Sequence, residues 1–425
     1  MAESPRASFN AHAPQRELGL AAARAAVLER VAAHVAAHPP RRGRLNQAAW
    51  PGAAAPPVLA EDVRADRDYP PFARALRDGY ALRAADAATP AATLRCLGQV
   101  RAGAASGLRV EPGSCVEIMT GAALPEGADA VVMIEKTART GADVTLAVAV
   151  KLGDAVAPRG SDTPTGGVVA AAGRRLDFAA RAALAAVGCL TPEVLLPPRV
   201  AILTTGDELV APGARPGPFQ IRDANLPALA ALVRRAGGDP VLELVLPDDA
   251  AALGAAVDRA EADLLLLSGG ASVGAHDLVA PLLAARRAEV VFDAVRVRPG
   301  RPVWFGELSG RCFFALPGNP LGSMLGFLLF VQPALALLAG LAPEALPPPF
   351  LLARLGFDHR AAPLPLTVFR PARLLAAGGL EPLLEDIPCH SSADLAAAAA
   401  ADCFWAAPEL AAELPAGSLV GVVLK

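Results

Sequence analysis

The chain lacks the short signatures that would assign it quickly. Its six cysteines, Cys96, Cys115, Cys189, Cys312, Cys389 and Cys403, lie far apart with no Cys-x-x-Cys pair. That excludes a zinc ribbon or a disulfide framework and fits free thiols in a reducing compartment. No Walker loop with its lysine and no Gly-x-Gly-x-x-Gly turn is present, so the common nucleotide folds are not indicated. Charge of one sign is also missing. A formal net charge of −3 gives no long-range field for nucleic acid or an anionic membrane, so any anion must be captured locally. Lysine is nearly absent, three against thirty-six arginines, which reads as a bias of the source and not as function. Residues Met1 to Gln15 contain no apolar core of a signal peptide, so the expected location is cytoplasmic. Leu321 to Ala342 is long and apolar enough to span a bilayer, but it holds Ser323, Gln332 and Pro333 and begins on a strand-end loop. It reads as a buried helix.

At 425 residues several domains are expected. Glu17 to Ala37 has helical periodicity and stops at Pro39-Pro40. From Thr93 to Val150 the pattern changes to short β-like runs, Val116 to Met119, Ala130 to Ile134 and Val144 to Val150. Leu176 to Val187 is helical again. From Arg199 to Gly340 strands and helices alternate: strands at Val200–Thr204, Val241–Leu246, Leu264–Leu267 and Cys312–Leu316, helices at Leu226–Ala236, Asp248–Ala262 and Leu278–Arg287. Such alternation predicts a parallel sheet covered on both faces. After Pro347-Pro348-Pro349 short β runs return, consistent with a small barrel or sandwich. The expected domains are 1–70 with 160–197 as a helical linker domain, 71–159 as an inserted β domain, 198–345 as the α/β domain and 346–425 as the C-terminal β domain.

Four loops carry the chemistry, each after an apolar run of strand length, where open α/β sheets bind ligands. Thr205-Gly206-Asp207-Glu208-Leu209 offers two acids for a metal or a proton, or is a solvated turn. Ser268-Gly269-Gly270-Ala271-Ser272-Val273-Gly274 presents peptide N–H groups without side-chain bulk, suited to an oxyanion or phosphate. It is followed by His276, which has no second His or Cys at a metal-site spacing. Arg298-Pro299-Gly300-Arg301-Pro302 either holds an oxyanion with two guanidinium forks or is a solvated turn. Pro317-Gly318-Asn319-Pro320 is explained by turn chemistry alone.

Taken jointly with Leu59 to Val63, Pro70-Pro71-Phe72, Asp78-Gly79-Tyr80-Ala81, Ile118 to Ala122 and Pro125 to Val132, these loops resemble the molybdopterin molybdenumtransferase family, the molybdenum insertases that include the E domain of gephyrin. The resemblance implies an elongated homodimer of four-domain subunits, with an active cleft built by both chains. It implies that adenylylated molybdopterin and molybdate become molybdenum cofactor and AMP with Mg2+ or a similar divalent ion. Expected partners beyond these substrates are a molybdopterin adenylyltransferase and acceptor molybdoenzymes.

On that basis Asp78, Thr120, Asp162, Glu208 and Asp277 are expected to be catalytic. Glu208, Asp248 and Asp277 are expected to hold the metal. Gly269, Gly270, Ser272, Gly274, Arg298, Arg301, Pro317 and Pro320 are expected to bind the pterin, phosphate or molybdate, and Arg370 and Ser392 to lie near molybdate. Three departures stand out. Arg298 and Arg301 replace the family's usual lysines, Ala73 to Arg77 replace its Asp-Asn-Ser-Ala-Met, and Gly322 replaces a common serine. Arg74 and Arg77 are therefore expected to contact ligand phosphate. The rival readings are a pterin-binding scaffold without turnover and a pterin adenylyltransferase. The long Leu59 to Ala171 portion argues against the latter.

Overall fold

A computed structural model of the chain describes residues 16–45, 55–104, 107–270, 278–375 and 381–425. Ser272, Gly274, His276 and Asp277 fall outside these residues. The chain forms two compact units, one made of Met1–Ala60, Gly173–Leu176 and Glu193–Lys425, the other of Glu61–Ala172 and Asp177–Pro192.

The first unit is built on a six-stranded sheet in the order Asp239–Leu246, Arg199–Thr205, Leu264–Ser268, Arg311–Leu316, Trp304–Leu308, Glu289–Phe292. The first four strands are parallel. These are the four strands expected from sequence; the fifth, Trp304–Leu308, runs antiparallel to both of its neighbours. The cause is local: Ser309 and Gly310, both at positive φ, close a two-residue hairpin between Trp304–Leu308 and Arg311–Leu316, and a hairpin can only return antiparallel.

Burial on both faces explains the unbroken apolar runs. Val200, Ile202, Leu264 and Leu266 pack with the helices Leu20–Ala37, Asn225–Ala236 and Gln332–Leu338. Ala201, Leu203, Leu265 and Leu267 pack against Ala250–Arg259 and Val279–Ala285 on the other face. Each buried leucine contributes about 1.5–3 kcal/mol, so this sheet is the stiff platform of the unit.

The apolar segment after Pro320 runs as a helix over Pro320–Gly326, a π-helical turn over Phe327–Val331 and a helix over Gln332–Leu338. Although apolar enough to cross a membrane, 89% of it is buried inside the protein. The π turn has an identifiable cause: Pro333 has no N–H to give the carbonyl of Leu329 and its ring crowds that oxygen. Arg24 takes over, its Nη1 donating to the Leu329 carbonyl at 3.0 Å.

At the C-terminus Thr367–Leu375, Leu383–Asp386, Leu351–Leu355, Leu419–Leu424 and Cys403–Ala407 pair in that order and close on themselves. Closure leaves this five-stranded barrel without a free edge. Its interior holds Ala353, Leu355, Leu384, Trp405 and Val422. Val297–Arg298 adds to the barrel in parallel beside Thr367–Val368 and so ties the arginine turn to it.

The second unit carries its own six-stranded sheet, ordered Thr137–Thr140, Asp143–Leu146, Thr93–Val100, Ser114–Ile118, Gly79–Leu82, Ala130–Met133. Tyr80, Leu82 and Val132 go to one core of this sheet, Ala81, Val131 and Val116 to the other. The two-residue period of a strand thus decides which side chains face which core.

Candidate functional site

At the carboxyl ends of the parallel strands a buried polar network replaces the apolar core. Asp223, 3% exposed, accepts from the N–H of Asn225 at 2.9 Å and of Leu226 at 3.3 Å through Oδ1, and from the Thr204 hydroxyl at 3.0 Å through Oδ2. Asn225 Nδ2 donates to Ser268 Oγ at 3.0 Å and to the Gly318 carbonyl at 2.7 Å. Ser268 in turn donates to the Pro317 carbonyl at 3.2 Å and lies 3.4 Å from Ser323 Oγ. Three of the loops singled out by sequence are therefore cross-linked.

Gly269 shows how tightly they meet. It sits at φ +94°, and a Cβ there would lie 2.4 Å from the Thr205 carbonyl oxygen. Among the described residues Asn225 Oδ1 and Thr205 Oγ1 are buried without a hydrogen-bond partner. Each such atom costs about 1–3 kcal/mol if left unmet. The sequence reading of binding residues missed Asp223, Asn225 and Ser323. An Asp-x-Asn step before an apolar helical run is a helix-start signal, and only the fold turns it towards Ser268.

Glu208 and Asp248 are exposed on neighbouring loops after the first two parallel strands. Asp207 Oδ1 accepts from the Asp248 N–H at 3.0 Å and ties the loops together. Both side chains are carboxylates, the hard oxygen donors that magnesium prefers. Of the expected metal ligands only Asp277 lies outside the described residues.

A cavity of about 660 Å³ lies between the arginine turn and the barrel. Arg298, Arg301, Arg370, His359, His390 and Ser392 line it, with Pro317 at its margin. Their commitments differ. Arg301 Nε donates to Glu17 Oε1 at 2.7 Å, a bond that raises the guanidinium's pKa and lowers that of the carboxyl. Arg370 approaches Asp386 at 3.7 Å while its Nε is buried without a partner. His359 is held below its usual value by burial and then by the Arg370 charge. Among the described residues Arg298 has no ion-pair partner. At Gly322 a Cβ would come within 3.1 Å of Pro317 Cγ and 3.2 Å of Gly300 Cα, so a serine there would need the turn to give by a few tenths of an ångström. Pro320 begins the helix beneath this turn and does not line the cavity.

In the second unit Asp78 Oδ1 accepts from both the N–H and the hydroxyl of Thr120, each at 2.7 Å. These bonds stabilise the charged form and lower the Asp78 pKa. Asp162 receives Arg74 Nη2 at 3.1 Å and the Ser161 hydroxyl at 3.2 Å. Arg74–Ala75 is itself bonded to the Thr120 loop through Ala75 N–H to the Ala122 carbonyl and Gly121 N–H to the Ala75 carbonyl. Asp78, Thr120 and Asp162 thus gather on one surface, and Arg74 is engaged by Asp162.

Comparison with known proteins agrees with this architecture. Residues 19–188 match the MoeA N-terminal region (domain I and II), and residues 201–337 match the probable molybdopterin binding domain. The chain is 36% identical over 294 residues to the molybdopterin molybdenumtransferase of a Nostoc species, covering 67% of each. To that of Staphylococcus aureus it is 31% identical over 375 residues, covering 86% of this chain and 88% of the relative. Among solved structures, a molybdopterin biosynthesis MoeA protein of Pyrococcus horikoshii superposes with a TM-score of 0.77 at 26% identity, over 96% of this chain and 100% of that one. With its α/β domain, closed C-terminal barrel and mixed sheets, this chain belongs to the molybdopterin molybdenumtransferase family, transferases of molybdenum cofactor biosynthesis.

Proposed function

We propose that the chain is a cytoplasmic, homodimeric enzyme that transfers molybdate to adenylylated molybdopterin and releases AMP. The observation that carries this reading is the cavity on which Arg298, Arg301 and Arg370 converge with Ser392. Molybdate is a tetrahedral dianion, and guanidinium forks keep their charge at any working pH while donating in pairs. Arg298 is the principal anchor, and Arg301 shares its charge with Glu17. Asn225 Oδ1 and Thr205 Oγ1 are the acceptors and donors left for the pterin, beside the Gly269-Gly270 backbone.

Glu208, Asp248 and Asp277 would hold magnesium, which neutralises phosphate charge when bound. The chain's own residues do the rest. Asp78, kept ionised by Thr120, takes a proton from the water that attacks the anhydride phosphorus, and the bond to the bridging oxygen breaks as AMP leaves. Asp162 fixes Arg74 where the departing phosphate needs a positive charge. We retain the four-domain division and a two-chain assembly as part of this proposal.

The test is incubation of purified protein with adenylylated molybdopterin, molybdate and magnesium, with AMP measured over time. The enzyme reading expects AMP and molybdenum-loaded pterin. A scaffold would bind pterin and release none. Asp78→Ala or Asp277→Ala is expected to abolish release without loss of fold, and retained turnover in both would refute the assignments. Sedimentation as a monomer would refute the dimer.

A further inference from the structure

We propose that His34, Glu307 and Cys312 form a binding site for a thiophilic divalent cation of the zinc class. One ligand atom from each lies within 4.8 Å of the others. The three come from two structural elements: His34 from the helix Leu20–Ala37, Glu307 and Cys312 from opposed positions of the hairpin, where they are register partners. Linear spacing cannot show such a site, because the histidine and the cysteine belong to distant parts of the chain.

The chemistry of the cluster suits the ion. Imidazole, carboxylate and thiolate are the donors zinc takes, and its bond lengths place ligand atoms about 3.5 Å apart in a tetrahedron. Contraction by about 1 Å would therefore close the cluster. Glu307 Oε1 already stands 3.4 Å from His34 Nδ1. Its other oxygen is occupied by Arg30 at 3.1 Å, and Arg30 also pairs with Glu289. The charges balance when the ion is present. A neutral imidazole, one carboxylate and one thiolate offset the divalent charge, and Arg30 offsets Glu289. His34 is 8% and Cys312 0% exposed, so the site is dry on two sides. The Glu307 side chain is 23% exposed, which leaves a fourth position to water.

On binding, the Cys312 thiol gives its proton to solvent as the sulfur–metal bond forms, with no change of oxidation state. Cys312 pairs with Leu264 at the amino end of the parallel strands, whereas the polar network occupies their carboxyl ends. The ion would fasten the first helix to the hairpin and would not act on substrate. The site is thus independent of the proposed reaction.

The test uses the full chain, equilibrated with zinc and dialysed before metal analysis, and separately with cobalt(II) for its thiolate charge-transfer absorption. One zinc per chain and a cobalt–thiolate band are expected. Cys312→Ser should lose the band, His34→Gln should lose the zinc, and Cys189→Ser should keep both. If Cys312→Ser does not fold, His34→Gln decides. Wild-type protein without retained zinc, or zinc and band surviving in both folded variants, would overturn the proposal.

Discussion

Arg298 and Asp78 are both exposed charged side chains beside turns, yet they are prepared in opposite ways. Asp78 has one oxygen filled by two donors from Thr120, whereas Arg298 faces a cavity with no ion-pair partner among the described residues. The acid is tuned by neighbours that fix its charge, and the cation is left without an opposite charge of its own. Around the cavity the same contrast recurs in miniature, since Arg301 is committed to Glu17 and Arg298 is not.

The largest effect should come from breaking the tuned side. Removal of a general base typically costs about 10²–10⁴-fold, so Asp78→Asn should reduce AMP release by that order with substrate affinity little changed. Thr120→Val is the sharper probe. It keeps the carboxylate but deletes a bond that lowers its pKa, so the acid limb of the rate profile should move to higher pH. An unmoved limb would separate Asp78 from catalysis.

Next in size is the prepared side. A hydrogen bond to a charged group is worth about 1.5–3 kcal/mol. Arg298→Ala should therefore weaken molybdate binding by about 10- to 150-fold, as read by calorimetry. Glu17→Gln should do the reverse and tighten it a few-fold, because Arg301 is released to the cavity. Weaker binding in Glu17→Gln would show that Arg301 needs its partner for position.

These residues were not equally legible. The four loops could be read because glycine, proline and charge cluster after strand-like runs, and their described residues all lie in the first unit. Arg370 and Ser392, aligned only weakly by sequence, line the same cavity as Arg298 and Arg301 because the barrel closes beside the arginine turn. The antiparallel edge was not legible: Trp304–Leu308 is interrupted by Gly306 and Glu307 and lacks the unbroken apolar run of the parallel strands, and its direction is set by the Ser309-Gly310 turn. Asn225 lies outside the sequence reading because its role depends on Ser268 and Gly318, far along the chain. Alternation reports which face is buried, and says little about which loop meets which.

Gly322→Ser tests whether the departure from the family is adaptation to the arginine turn. The added side chain would meet Pro317 and Gly300 at the limit of contact, and overpacking of this kind costs about 1–3 kcal/mol. A lower urea midpoint with weaker molybdate binding is expected. An unchanged midpoint would mean that the turn yields and that the cavity is softer than its packing suggests.

The smallest effect concerns the tuned side again, now in stability. Asp68 accepts from the N–H and hydroxyl of Thr165 and from Arg159, which lower its pKa from 3.8 to about 2, the Thr165 N–H contributing most. A carboxyl depressed in the folded state takes up its proton in the unfolded state first. Its contribution is therefore complete above about pH 4 and disappears as pH falls through about 2. Urea midpoints measured down this window should fall in the wild type and fall less in Thr165→Val, which starts lower at neutral pH. The cavity arginines cannot contribute to that slope, because they stay charged throughout it. If Thr165→Val left the slope intact, the acid response would have to arise elsewhere, and the Thr165–Asp68 pair would be a surface contact without energetic weight.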